Sequence, residues 1–245
     1  LLILACALFA PVLRAADDPE LDSLWAAYKA SGRSNEQRLR TMHEIVDLVR
    51  YNDADSAHRL ADRFLQDATS SGIVDLIALA HRDLGGILES ERDNEGALRE
   101  FRTSIAIWRT VNDSLAQEGI ATALNSMGII HKNAGRLDSA LALYRQSMAM
   151  QLRMRDSSGL VYAHASIARI HEMQGHEDSA YYHYERSGQL AEAVGDKRMV
   201  GASAGSNRPS FFAMKYLLGK GYTVLPVNPG LVGQQILGQA VVATI

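Results

Sequence analysis

Between residues 37 and 195, apolar, small and polar positions return in the same order about every forty residues. The triplet Asp-Ser-Ala stands at 55–57, 138–140 and 178–180, with Glu95-Gly96-Ala97 in the place between, so the four alanines lie 40, 43 and 40 residues apart. Around the last two the agreement widens: Met127-Gly128 matches Ile167-Ala168, His131 matches His171, Gly135 matches Gly175, Tyr144 matches Tyr184 and Ser147 matches Ser187. In the unit before, Leu84-Gly85, Ala97, Phe101 and Ser104 fall in register.

This order predicts one helical hairpin per unit. A small residue (Gly85, Gly128, Ala168) lets the first helix approach its partner, and an alanine at the start of the second does the same from the other side. An aromatic four residues later (Phe101, Tyr144, Tyr184) lies one turn along the same face and fills the space between the helices. Asp55, Asp138 and Asp178 are placed in first turns, where a carboxylate suits the exposed N–H groups. Gly135 and Gly175 end the preceding helix in a left-handed conformation. The first unit fits least well, with Ile45 at the small site and Ala61 where the aromatic belongs.

The small, small, aromatic order resembles the tetratricopeptide repeat family over residues 37 to 195. The sequence departs from that family in lacking its usual tryptophan and terminal proline and in a unit of 40 rather than 34 residues. Six extra residues are about 9 Å of helix, to be shared between two helices and their loop. The resemblance implies a right-handed solenoid of helical hairpins with a groove lined by the first helices. Aligned to the small site, the groove candidates are Arg82 and Glu89, Asn125 and Lys132, and Arg169 and Glu172. Singly these read as solvated helix residues; together they form a polar groove for a peptide or partner helix. Longer units of this kind look like those of bacterial sensor and signalling proteins. The family's carboxylate clamp of lysines and asparagines is not reproduced, so no specific ligand carries over.

Proline separates this stretch from what flanks it, since none occurs between Pro19 and Pro209. Residues 1–16 open with a 13-residue apolar run, followed by Arg14 and small residues, which fits a secretory signal entered partway better than a membrane span of about 20 residues. Export, to a periplasm, is the expectation, with residues 17–36 as a helix or linker. Cys6, the one cysteine, lies inside that run, so a processed chain has no thiol.

Residues 196–245 have another character. RMVGAS is a short apolar run ending at Gly201, Pro209-Ser210 is a helix start, FFAMKYLL has helical spacing, and YTVLPV reads as a strand. Strand, helix and strand then place Ser203, Arg208 and Ser210 at a helix N-terminus, an arrangement that holds phosphate. The longer string resembles the start of the bacterial CoA-binding protein family with a Rossmann-like fold. The matching pieces are Gly201-Ala202-Ser203, Asn207-Arg208-Pro209-Ser210, Gly221-Tyr222, Val227-Asn228-Pro229 and Ile236-Leu237-Gly238. The resemblance implies that the first two face nucleotide phosphates and that Val227, Asn228 and Pro229 lie beside the adenosine end. The family's domain continues beyond the stretch corresponding to Ile245, so an incomplete βαβ segment that does not retain CoA is expected, parallel sheets being stable when covered on both faces. The fold class is therefore mainly α, a tetratricopeptide-type solenoid followed by a small Rossmann-like piece, joined near residues 196 to 203. If the tail sets the context instead, the protein is a cytoplasmic CoA- or nucleotide-binding protein with appended repeats.

Charge sharpens the division. The net charge of −3 splits into +4 from Arg198 onward, where no acid occurs, and −7 before it. A chain of this balance does not advertise a nucleic-acid surface. His164, His171, His176 and His183 invite a metal assignment, but HEMQGH lacks the four-residue histidine spacing that puts two ligands on one helix face. The match of His171 to His131 favours packing. Acidic pairs on the helices read as solvated surface, and no nucleophile elbow, Walker loop or zincin motif occurs, so neither a catalytic set nor a metal site is expected.

Overall fold

A computed structural model describes residues 18–50, 52–111 and 114–195, and the backbone of Gln235–Ile236 and Gln239–Ala240. The leader at 1–16 and the whole proposed strand-helix-strand at 198–228 lie outside these residues.

Helices start where a side chain can serve the unpaired N–H groups of a first turn. Asp18 caps α1 (Pro19–Lys29), accepting from the Glu20 and Leu21 amides. Ser34 and Gln37 form a reciprocal capping box on α2 (Asn35–Val49). Asp53 caps α3 (Ala54–Ser71), and α4 (Val74–Ser90) follows the left-handed Gly72. Asp93 caps α5 (Asn94–Trp108), and Asp156 caps α8 (Ser157–Met173), each through the amide of a glycine three residues on. The remaining helices are α6 (Ser114–Asn133), α7 (Leu137–Met154) and α9 (Glu177–Val194).

The predicted left-handed stops are present: Gly135 and Gly175 have φ of +72° and +76°. After each, the next amide reaches back to a carbonyl five residues earlier, Arg136 to His131 and His176 to His171. In the α4–α5 hairpin the same register position is Arg92, a non-glycine at φ +67°, and the Asp93 amide reaches Leu88 in the same way.

The chain divides into two compact units, one running to Ile130 and one from His131. In the first, α1 packs on α2, α2 on α3, α3 on α4 and α4 on α5, and the two first helices α2 and α4 also meet. Gly85 is what brings α4 and α5 together: a Cβ added there would stand 2.9 Å from the Phe101 ring. The first hairpin reaches the same density with the sizes reversed. Ile45, at the small site, and Ala61, at the aromatic site, are both fully buried in one cluster with Phe64. Volume is kept while its distribution is exchanged, which a close-packed interior tolerates.

A second close approach was not anticipated from the sequence. Gly119 lies under Trp108, 2.5 Å from where a Cβ would sit, joining the end of one hairpin to the start of the next. In the second unit Gly159, forty residues on, lies first against the cap carboxylate of Asp156 and then, at 2.9 Å, against Gln151, which stands in register with Trp108. The first hairpin again inverts the pattern, since the positions in register are Ala68 and Leu76, both fully buried.

In the second unit α7 packs on α8 and α8 on α9, with Ala168, Ala180 and Tyr184 forming the small, small, aromatic cluster that the repeat predicted. Ser187 donates to the Val161 carbonyl at 2.9 Å, and Ser104 in the first unit donates to Ala78 at 2.8 Å; both bonds are buried and span 26 residues. Farther along, Gln235–Ile236 (β1) and Gln239–Ala240 (β2) pair antiparallel, Gln235 opposite Ala240 and Ile236 opposite Gln239.

Candidate functional site

On α2, Glu36, Arg40, His43, Asp47 and Arg50 recur at alternate spacings of four and three and so share one face of the helix. Arg50, the C-cap residue, crosses toward α4 because Gly86 has no side chain; a Cβ there would lie 3.3 Å from an Arg50 guanidinium nitrogen. From α4, Asp75, Arg82 and Asp83 meet this face, and Trp108 enters from the end of α5.

Asp83 is the centre of the arrangement. Only 6% exposed, its carboxylate is held at 2.6 Å by His43 Nδ1 and at 3.0 Å by the Arg82 guanidinium. A carboxylate this deep in an apolar helix is tolerated when paired and hydrogen-bonded, and it is costly otherwise. Arg82 also lies 6.0 Å from the centre of the Trp108 ring, a cation–π distance, and 3.5 Å from His43 Nε2. The Trp108 indole donates to Asp75 at 2.9 Å, and Arg40 bridges Asp75 at 3.7 Å and Glu36 at 2.9 Å. Phe64 stacks behind His43 with ring centres 6.4 Å apart. The result is a nearly charge-balanced, half-buried network.

Of the six groove residues expected from sequence, Arg82 is inside this network. Glu89 and Asn125 are half-buried elsewhere in the first unit, and Lys132 is half-buried in the second. Arg169 and Glu172 belong to α8 and pair with each other at 3.2 Å; Arg169 stands one turn beyond the position that corresponds to Arg82 and Asn125. Glu172 also accepts the Tyr184 hydroxyl at 3.0 Å, and burial with the neighbouring carboxylate pushes that phenol up to about 12. The sequence reading missed His43, Asp75, Asp83 and Trp108. One signal was available: Asp83 interrupts the apolar run LIALAHRDLGGIL at a buried position, and a buried acid implies a partner.

Four histidines of the second unit, His164, His171, His176 and His183, pack against one another. His164 Nδ1 and His183 Nδ1 are 2.9 Å apart, His171 stacks on His183 with centres 5.8 Å apart, and His176 lies 5.7 Å from His171. Among the described residues no three histidine, cysteine or acidic side chains converge as a metal site. No helix among them is long and apolar enough to cross a membrane. The tail candidates Gly201, Ala202, Ser203, Asn207, Arg208, Pro209, Ser210, Val227, Asn228 and Pro229 all lie outside the described residues.

The tetratricopeptide repeat family model matches residues 76–153, and the CoA binding domain model matches residues 198–245. Solved structures with a similar fold include a Rap protein complexed with competence and sporulation factor, with a TM-score of 0.68 and 15% identity over 82% of this chain and 59% of that one. Aspartyl phosphate phosphatase F from Bacillus subtilis gives 0.64 and 12% identity over 77% of this chain and 51% of that one. A signal transduction ATPase with a tetratricopeptide repeat sensor from Pyrococcus horikoshii gives 0.64 and 11%, over 82% and 33%. The chain thus spans between a third and three-fifths of these proteins, and at such identities the likeness is one of fold.

Proposed function

We propose that the repeats form a non-catalytic interaction module whose polar first-helix face receives an extended peptide or a helix of a partner protein. The observation that carries this reading is Asp83, buried between His43 of α2 and Arg82 of α4. Burying that carboxylate fixes two half-buried basic side chains on adjacent first helices, where fixed donors lose little entropy on binding. The similar fold of a Rap protein complexed with competence and sporulation factor is consistent with the reading. So is the sensor repeat of the ATPase, which is in keeping with a place in signalling. The test is selection of a peptide library on the full chain followed by titration calorimetry of the enriched sequences. Saturable binding that weakens at least tenfold in Arg82→Ala supports the module; binding indifferent to Arg82, or none, rejects it.

A second reading rests on the CoA binding domain match at 198–245. In it the chain is a nucleotide-binding protein with appended repeats, and Arg208 with Ser203 and Ser210 holds the phosphates. Calorimetry with CoA separates the two: saturable heat lost in Arg208→Ala favours the second reading. Export from the cytoplasm favours the first, and fractionation of cells expressing the natural gene decides it.

A further inference from the structure

The two units treat their histidines in opposite ways. In the first, each interhelical histidine meets a carboxylate: His43 with Asp83 at 2.6 Å, His58 with Glu91 at 2.8 Å and His81 with Glu100 at 2.7 Å. Each becomes an ion pair when the imidazole is protonated. In the second, imidazole faces imidazole across the α8–α9 seam. The 2.9 Å contact between the Nδ1 atoms of His164 and His183 requires one nitrogen to donate and the other to offer its lone pair. The contact survives one added proton on the pair and is lost with the second, when both nitrogens become donors.

Among the described residues, the charges that shift these imidazoles are cationic. Arg145 from α7 and Arg186 from α9 are the charged groups acting on the pair and on His171, and both are cationic. The nearby acids are engaged elsewhere: Glu172 with Arg169 and the Tyr184 hydroxyl, Asp138 with Gln174, and Glu185 with Gln189. His171, itself stacked on His183, is 8% exposed, and its Nδ1 has no hydrogen-bond partner among the described residues.

We propose that the α8–α9 hairpin is an acid-opened latch, closed by neutral His164, His171 and His183 and released by proton uptake, while the carboxylate-paired histidines hold the hairpins of the first unit shut. Burial first, then the neighbouring imidazoles and Arg145, lower His183 from the ordinary 6.5 to about 4, and burial lowers His164 and His171 in the same direction. A folded-state pKa below the unfolded one means that the opened hairpin takes up more protons. The stability that neutral His183 confers is therefore whole above 6.5 and is lost as pH falls through about 4, and His164 and His171 act in the same direction. Opening also parts Ser187 from Val161, which lie in the same seam.

Hydrogen exchange of the full chain, read by mass spectrometry and corrected for intrinsic exchange chemistry, tests this. Discounted for the solvent that reaches the pair, protection across residues 157–194 is expected to fall about tenfold more between pH 8 and pH 5 than protection across residues 35–108. An equal fall in both overturns the proposal. The variant His164→Asn with His183→Gln is expected to remove the difference, and its persistence there overturns the proposal too. Should that variant not fold, histidine nitrogen shifts in the unaltered chain decide. All three imidazoles are expected to charge below 6.5, together with loss of α8–α9 protection; independent titration near 6.5 ends the proposal.

Discussion

The hydroxyl of Ser187 in α9 donates to the carbonyl of Val161 in α8, 26 residues back along the chain, and the bond is closed to solvent. Ser104 and Ala78 repeat it in α5 and α4. Each ties the second helix of a hairpin to the backbone of the first, at a carbonyl that already serves its own helix. Ser187→Ala and Ser104→Ala should each lose about 1 kcal/mol, the usual net worth of an internal hydrogen bond. Urea unfolding read by helical circular dichroism gives the two numbers; no loss in either variant would reduce the serines to small space-fillers.

Gly85 and Phe101 are expected to exchange roles. Gly85→Ile alone drives a side chain into the ring, and Phe101→Ala alone leaves a void costing about 3 to 5 kcal/mol. The double variant reproduces the Ile45 and Ala61 arrangement of the first hairpin, so it should recover at least about 1 kcal/mol relative to the sum of the singles. A double-mutant cycle in urea measures the coupling; strict additivity would contradict the volume exchange.

Arg92 holds a left-handed conformation at the position where Gly135 and Gly175 stand in later units. Its side chain is exposed, so Arg92→Gly removes the backbone penalty without opening the core. A gain of about 1 kcal/mol is expected, visible as a rise in melting temperature. A lower melting temperature would show that the arginine side chain earns its place through contacts.

His171 is buried with an idle ring nitrogen. Replacing it by leucine removes the uncompensated polar atom at similar volume and should stabilise the second unit by about 1 kcal/mol at neutral pH. The gain should grow on acidification, because burial lowers the His171 pKa and the wild-type imidazole disfavours the folded state once it charges. Thermal melts at pH 7.5 and 5.5 supply the comparison; a gain that shrinks toward acid would run against it.

The hairpins were legible where packing repeats chemistry in phase. Ala97 and Phe101, or Ala180 and Tyr184, are one turn apart in a single helix, so their spacing survives as a sequence pattern. The inverted first hairpin was harder to read because a core conserves summed volume, whereas a search for like residues at like positions conserves identity. Ser187 was seen to recur, but its purpose was hidden: the acceptor is a backbone carbonyl, which any residue supplies. Arg82 was visible on its helix, yet His43 is 39 residues away and became its neighbour only when α2 and α4 met.

The reversed sizes in the first hairpin give the chain a sense of order. Were the second hairpin, α4–α5, deleted by recombination, Ala68 would come to face Gly119 and leave a hole; were it duplicated, Trp108 would meet Leu76 and collide. Modules that look interchangeable by sequence are thus keyed to their places, and this lineage can lengthen its array by copying only between neighbours whose keys agree.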